Sequence, residues 1–173
     1  PEQITGTIYI AAIETGLLPE ILEVEFANQD FNNTKGLYGG TNLAFLADAN
    51  GKPARRTNPG AALYQANFDL DDDYLFGEDS NSAIEIAIDY LDSKASVWGP
   101  VLKYQSSRGL VTTKPYETIG SGNWRTAKFI IADYNFSNLM DYSTDFIVNG
   151  DIRDSKGLAF TMNRITLRKL PVG

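Results

Sequence analysis

Ala83-Ile84-Glu85-Ile86-Ala87-Ile88-Asp89-Tyr90-Leu91 is the stretch whose reading decides the fold. Ile84, Ile86, Ile88 and Tyr90 occupy every second position, with Glu85, Ala87 and Asp89 between them. A period of two is the pattern of a strand with one buried face. The alternation breaks at Asp92-Ser-Lys-Ala-Ser-Val-Trp98-Gly-Pro100 and resumes in Val101-Leu-Lys-Tyr104. The stretch therefore reads as a core strand, a loop with Trp98 at its tip, and a return strand.

Outward from this unit the chain continues in short alternating runs. Residues 21–26 place Leu22, Val24 and Phe26 on one face and Glu23 and Glu25 on the other. Residues 43–46, 63–68, 110–113, 116–119, 124–132 and 145–148 read as further strands. Turn signals separate them: Asp48-Ala-Asn-Gly-Lys-Pro53, Asn58-Pro-Gly60, Ser106-Ser-Arg-Gly109 and Gly120-Ser-Gly122. Residues 136–139 suggest one turn of helix. Over residues 158–170 the apolar parity changes, from Leu158, Phe160 and Met162 to Ile165 and Leu167. A shift of one residue in a long strand is what a β-bulge produces, which places one near Asn163-Arg164.

Strands of this length and spacing predict an all-β fold, a two-sheet antiparallel β-sandwich of jelly-roll type. Residues 1–19 read as a linker or edge strand and residues 20–170 as one sandwich domain.

A net charge of −7 argues against a nucleic-acid or anionic-membrane partner, which needs a positive field. No apolar run approaches the roughly 18 residues of a membrane span. The chain has no Cys and no His. That removes disulfides, thiol nucleophiles, histidine triads and the usual zinc and copper ligands. Any catalysis would run on carboxylates, Tyr, Lys or Arg.

Several spaced elements together resemble a known group. They are Phe68-Asp69…Asp71…Tyr74, Ile86-Ala-Ile-Asp-Tyr-Leu-Asp92, Lys103-Tyr104, Gly120-Ser-Gly-Asn-Trp124-Arg-Thr-Ala-Lys-Phe129, Asp145-Phe146 and Arg164-Ile-Thr-Leu-Arg168. The order is similar to that of non-catalytic jelly-roll carbohydrate-binding modules of bacterial polysaccharide-degrading enzymes. The resemblance implies a secreted parent enzyme, a polysaccharide or oligosaccharide ligand, and a catalytic domain in the same parent chain. It requires no cofactor, but implies a structural calcium tying the first strand to the last, with Glu23, Glu25 and Asp151 as candidate ligands. The acidic run Asp69-Leu-Asp-Asp-Asp73 lacks the ligand alternation of an EF-hand and has a solvated turn as its plainer reading.

Trp98 and Tyr38, both beside glycines, are the candidate aromatic platforms, since a flat ring can stack on the apolar face of a pyranose. Tyr104 is a third candidate, with core packing as its plainer reading. Arg55, Arg108 and Lys103 are candidate cations for an anionic glycan, Arg55 and Arg108 as a pair, on the expectation that their loops gather at one end of the sandwich. For Trp124 the expectation is sheet-end packing. Glu85 and Asp89 lie about 13 Å apart along a strand, too far for a glycosidase pair, and read as solvent-side charges.

The sequence thus points to a carbohydrate-binding module that directs a tethered catalytic domain to its polysaccharide. The alternatives are a jelly-roll polysaccharide lyase or glycoside hydrolase, and a structural or adhesive β-sandwich.

Overall fold

The computed structural model describes residues 21–25, 37–39, 43–57, 65–78, 82–93, 95–150 and 160–171. Among them are thirteen strands and no helix: β1 (Ile21–Glu25), β2 (Leu37–Gly39), β3 (Leu43–Leu46), β4 (Ala54–Thr57), β5 (Gln65–Leu70), β6 (Ser82–Leu91), β7 (Ala95–Trp98), β8 (Val101–Ser106), β9 (Gly109–Thr112), β10 (Glu117–Ile119), β11 (Trp124–Ile131), β12 (Phe146–Asn149) and β13 (Thr161–Pro171).

A six-stranded sheet runs β11-β6-β13-β4-β3, with β1 also on β13; a five-stranded sheet runs β2-β5-β12-β8-β9; β10 and β7 form a separate ribbon. One edge of β13 carries β6 from Met162 to Pro171. Its other edge is divided, with β4 at Thr161 and Met162 and β1 from Arg164 to Arg168. The fold is an all-β antiparallel sandwich of the jelly-roll class, as the strand pattern requires.

The alternation read in β6 is the alternation that packs. Ile84, Ile86 and Ile88 are wholly buried and Tyr90 nearly so, while Glu85 and Asp89 lie on the outer face. Burying each such side chain contributes about 1.5–3 kcal/mol. The bulge falls where the parity changed: the register slips between Met162 and Arg164, leaving Asn163 as the extra residue. The slip brings Met162, Ile165 and Leu167 onto the core side together. Asn163 Nδ2 then donates to the Pro53 carbonyl at 2.7 Å. From the five-stranded sheet, Phe68 stacks on Phe146 at 5.2 Å, and Phe136 lies 6.2 Å from Phe146.

The outer face of the six-stranded sheet is a ladder of opposite charges. Asp89 accepts from Arg164 Nε at 3.0 Å and from the Thr126 hydroxyl at 2.6 Å. Glu85 accepts from Arg168 Nε at 3.0 Å and lies 4.0 Å from Lys128 Nζ. Trp124 closes one end of this sheet, as expected: its Nε1 donates to the Asn50 carbonyl at 3.3 Å, and Lys52 Nζ sits 5.6 Å from its ring.

Three local expectations are corrected. Residues 95–98 are strand β7 rather than the tip of a loop, because β10 supplies a hydrogen-bonding partner, with Trp98 in register with Glu117. The ribbon is closed at Gly99, whose N–H bonds the Tyr116 carbonyl and where a Cβ would lie 2.9 Å from that oxygen. Arg55 and Arg56 lie in β4, paired with β3 and β13, and not in a loop. Phe136 forms a bridge with Gly77 in place of a helical turn, its ring being wholly buried. The linker or edge strand expected over residues 1–19 lies outside the described residues.

Candidate functional site

In β5, Ala66, Phe68 and Leu70 face the core, so Gln65, Asn67 and Asp69 face the other way. In β12, Phe146 and Val148 face the core, leaving Ile147 and Asn149 on that second face. The registers assemble these residues into rows. Gln65 pairs with Asn149, and Asn149 with Val101. Asn67 pairs with Ile147, Ile147 with Lys103, and Lys103 with Thr112. Asp69 is in register with Tyr38 on β2 and adjoins Asp145, which precedes β12.

A sheet face turned from the core is ordinarily wet. Here its centre is buried: Gln65, Asn67 and Asn149 are 6%, 3% and 7% exposed. Buried carboxamides are expected to find partners for every polar atom. Their donors do. Gln65 Nε2 donates to Asp141 Oδ2 at 3.2 Å and Asn67 Nδ2 to the Asp141 carbonyl at 3.3 Å. Some acceptors do not: Oδ1 of Asn67, of Asn149 and of Asp69 are buried without a hydrogen-bond partner. Each such vacancy costs about 1–3 kcal/mol.

Asp141 belongs to a tight turn laid against this face. Met140 N–H bonds the Thr144 carbonyl at 2.8 Å, and the Thr144 hydroxyl bonds the Asp141 carbonyl at 2.8 Å. Between them Tyr142 and Ser143 hold φ of 62° and 55°, the left-handed region that side-chain-bearing residues avoid. Tyr142 is 72% exposed. The turn thus accepts backbone strain while presenting an aromatic residue to solvent, and strain of this kind clusters at binding sites.

One corner of the face is acidic. The pKa of Asp69 is raised to about 6, by burial first and then by the charges of Asp145, Asp72 and Asp71. Burial also pushes Asp145 up, against the opposing effect of the Leu70 and Asn138 N–H groups, which donate to its carboxylate at 2.9 and 3.1 Å. Lys103, half-buried in the middle row, is the cation of the rows described above.

The sequence-derived site residues divide. Lys103 lies on this face, and Tyr38 is at its β2 edge by register. Tyr104 is 7% exposed and belongs to the core, because it alternates with Lys103. Arg108 stands at the β8–β9 turn with its side chain 91% exposed, 3.8 Å from Asp133. Arg55 is 8% exposed in the opposite sheet, its guanidinium 5.2 Å from the Phe45 ring. The two arginines therefore do not form a pair. Trp98 sits in the β7–β10 ribbon, apart from the five-stranded sheet.

Of the expected calcium ligands, Glu23 is the one whose side chain is described. The Glu23 carboxylate faces the Arg164 guanidinium at 3.9 Å, an ion-pair arrangement, and Glu25 pairs through its backbone with Arg164. Asp151 lies outside the described residues. No group of three or more carboxylates among the described residues is arranged to hold a metal ion.

Sequence reasoning missed Gln65, Asn67, Asn149 and Tyr142. The available signal was Gln65-Ala-Asn-Phe-Asp-Leu70, where the polar sites of a strand include Asn67 and Asp69, residue types that sheets disfavour.

The sequence matches no protein-family model and no curated protein. The structure is similar to the CBM22-1 xylan-binding domain of Paenibacillus barcinonensis Xyn10C, with a TM-score of 0.52 and 13% identity, covering 88% of this chain and 95% of that one. It is similar to the CBM22-1-CBM22-2 tandem domain of the same protein, with a TM-score of 0.52, 13% identity and 46% of that chain covered. An arabinose-bound MgGH51 α-L-arabinofuranosidase is matched over 86% of this chain but 26% of its own, with a TM-score of 0.51 and 13% identity. The chain thus has the jelly-roll sandwich fold of carbohydrate-binding modules, as its spaced sequence elements implied.

Proposed function

We propose that the domain is a non-catalytic carbohydrate-binding module that holds a polysaccharide on the second face of the five-stranded sheet and directs a tethered catalytic domain to it. The observation that carries this reading is the 72% exposed side chain of Tyr142, held at a φ of 62° in the turn that Gln65 and Asn67 bond through Asp141. The exposed ring would stack on an apolar sugar face. The matching fold of a xylan-binding domain supports it. Secretion follows from the substrate, since polysaccharides of this kind lie outside cells. Tethering would raise the local concentration of the catalytic domain at its substrate.

The carboxylates favour binding over hydrolysis. Asp69 and Asp145 share one buried corner of the face, where Asp145 adds to the charge that raises the Asp69 pKa. Glu85 and Asp89 are held by Arg168 and Arg164 on the other sheet.

Titration calorimetry of the domain against xylan, β-glucan and mannan, with a parallel assay for released reducing ends, tests the reading. Binding without product is expected, and Tyr142→Ala abolishes it in a folded domain. Product release overturns the non-catalytic reading, and no binding overturns the whole of it. Trp98→Ala in the same series tests the other candidate platform: loss of binding there would move the site to the β7–β10 ribbon.

A further inference from the structure

We propose that the β8–β9 hairpin is a subsite for an oxyanion carried by the saccharide, a uronate carboxylate or a sulfate ester, with Lys103 as its counter-ion. The inference rests on the carbohydrate-binding reading above and names a substituent of its ligand.

The first observation is one of charge. In a chain of net charge −7, residues 101–116 hold Lys103, Arg108 and Lys114 and no carboxylate. The carboxylates of the same sheet face lie toward its other side, Asp69 on β5 and Asp141 in the turn that Gln65 and Asn67 bond. The face is thus polarised across its strands, acidic toward β5 and basic toward β8 and β9.

The second observation is one of pairing. Arg108, Arg125, Lys128, Arg164 and Arg168 each stand within 4.0 Å of a carboxylate. Among the described residues, Lys103 and Lys114 face none. Tyr104 and Val111 pack toward the core, so Lys103, Gln105, Leu110 and Thr112 share the second face. This half of the face is open: Lys103 and Gln105 are half-buried, Thr112 is exposed and Leu110 is 61% exposed. Beyond β9 the chain stays against β8, where Thr113 N–H bonds the Leu102 carbonyl at 2.9 Å and Thr113 Oγ1 accepts from Leu102 N–H at 3.0 Å. That tether keeps the exposed Lys114 next to the start of β8.

β12 lies between β5 and β8, so Lys103 is about 10 Å across the strands from Asn67 and the turn it bonds. A sugar next to the one stacked on Tyr142, with its substituent, covers that distance. A densely charged chain would also meet the acidic side of the face, so sparse oxyanions on a neutral chain suit it best.

The test compares one neutral chain with the same chain bearing sparse oxyanions, by calorimetry at low salt and about pH 7.5, where both oxyanions are ionised and lysine is protonated. The pairs are glucuronoxylan against its carboxyl-reduced form, and β-glucan and mannan before and after light C6 oxidation or light sulfation. The oxyanion-bearing form is expected to bind about three- to fivefold tighter. In about 0.5 M salt the gap should close. A gap with the uronate forms alone assigns the subsite to carboxylate, and one with the sulfated forms alone to sulfate. Lys103→Gln should abolish the gap, Lys103→Arg should keep it and Lys114→Gln should reduce it, with circular dichroism establishing each fold. If Lys103→Gln does not fold, Lys114→Gln and the salt series decide. Equal or weaker binding of every oxyanion-bearing form by the wild type overturns the subsite and leaves the neutral-chain reading intact. A gap that survives both Lys103→Gln and Lys114→Gln overturns its placement on the hairpin. Binding of no chain overturns the carbohydrate-binding reading together with this one.

Discussion

Asp92 Oδ2 accepts both the backbone N–H and the hydroxyl of Ser121, at 3.1 and 2.8 Å. Oδ1 of the same carboxylate takes the N–H groups of Ile119 and Gly120, each at 3.1 Å, and Arg125 stands 3.6 Å away. Asp92 is wholly buried at the end of β6, so this one side chain fixes the β10–β11 turn to the core strand.

Asp92→Ala should destabilise the domain by about 3 kcal/mol, with Asp92→Asn costing less, as measured by urea denaturation. Burial opposes ionisation of Asp92, but the Ser121 and Gly120 hydrogen bonds and Arg125 outweigh it and hold the pKa below the usual carboxylate range. The folded state therefore binds its proton less readily than the unfolded state. Its contribution is complete above about pH 4 and disappears as the pH falls through the depressed folded value.

Asp69 has the opposite sign. With a folded pKa of about 6 against 3.8, the native state binds the proton more tightly, so stability should rise as the pH falls from 7 through 6 toward 4. Asp145, also raised, adds to the same trend. Denaturation midpoints across pH should pass through a maximum between about 4 and 6, the acid side set by Asp92. Asp69→Asn should raise stability at neutral pH, by less than the full shift implies because solvent screens the half-buried carboxylate, and flatten the neutral limb; an undiminished slope there would assign it to other groups.

Asn149→Val should stabilise the domain. It removes a buried oxygen without a partner and places a β-favouring side chain in β12. A gain of about 1 kcal/mol in unfolding free energy is expected in urea denaturation. A loss of stability would mean that the carboxamide is satisfied in solution.

Two substitutions separate the ring of Tyr142 from its backbone. Tyr142→Ala keeps the strained conformation and should leave stability within about 0.5 kcal/mol, while Tyr142→Gly relieves it and should gain about 1 kcal/mol. Both should lose binding alike in calorimetry. Tyr142→Phe should retain most of it, because stacking needs the ring rather than the hydroxyl.

The sandwich was legible where burial is one-sided and long. Residues 83–91 alternate over a whole strand, and the parity change at Asn163 could come only from an extra residue. The ribbon was not legible. β7 has four residues between Asp92-Ser-Lys and Gly99-Pro100, and its partner lies twenty residues downstream, so local pattern has no access to the pairing. The site failed for another reason. Polar alternate residues in a strand imply solvent, and nothing in Gln65, Asn67 or Asn149 reports that a remote turn at Asp141 closes over them. Lys103 entered the sequence reading as one of several cations expected near loops, and only the register with Ile147 and Thr112 places it in the middle row of this face.

The divided edge of β13 bears on how the protein would misassemble. From Arg164 to Arg168 that edge is paired by β1, which has no other strand partner among the pairings of the six-stranded sheet. Removing β1 would leave five residues of a central strand open, a template for a strand from another molecule. Arg164 and Arg168 on the outer face would slow such pairing, but their charges are offset by Asp89 and Glu85. A domain shortened past Glu25 should therefore self-associate in a concentration-dependent way in sedimentation, and an added peptide Ile21-Leu-Glu-Val-Glu25 should return it to the monomer.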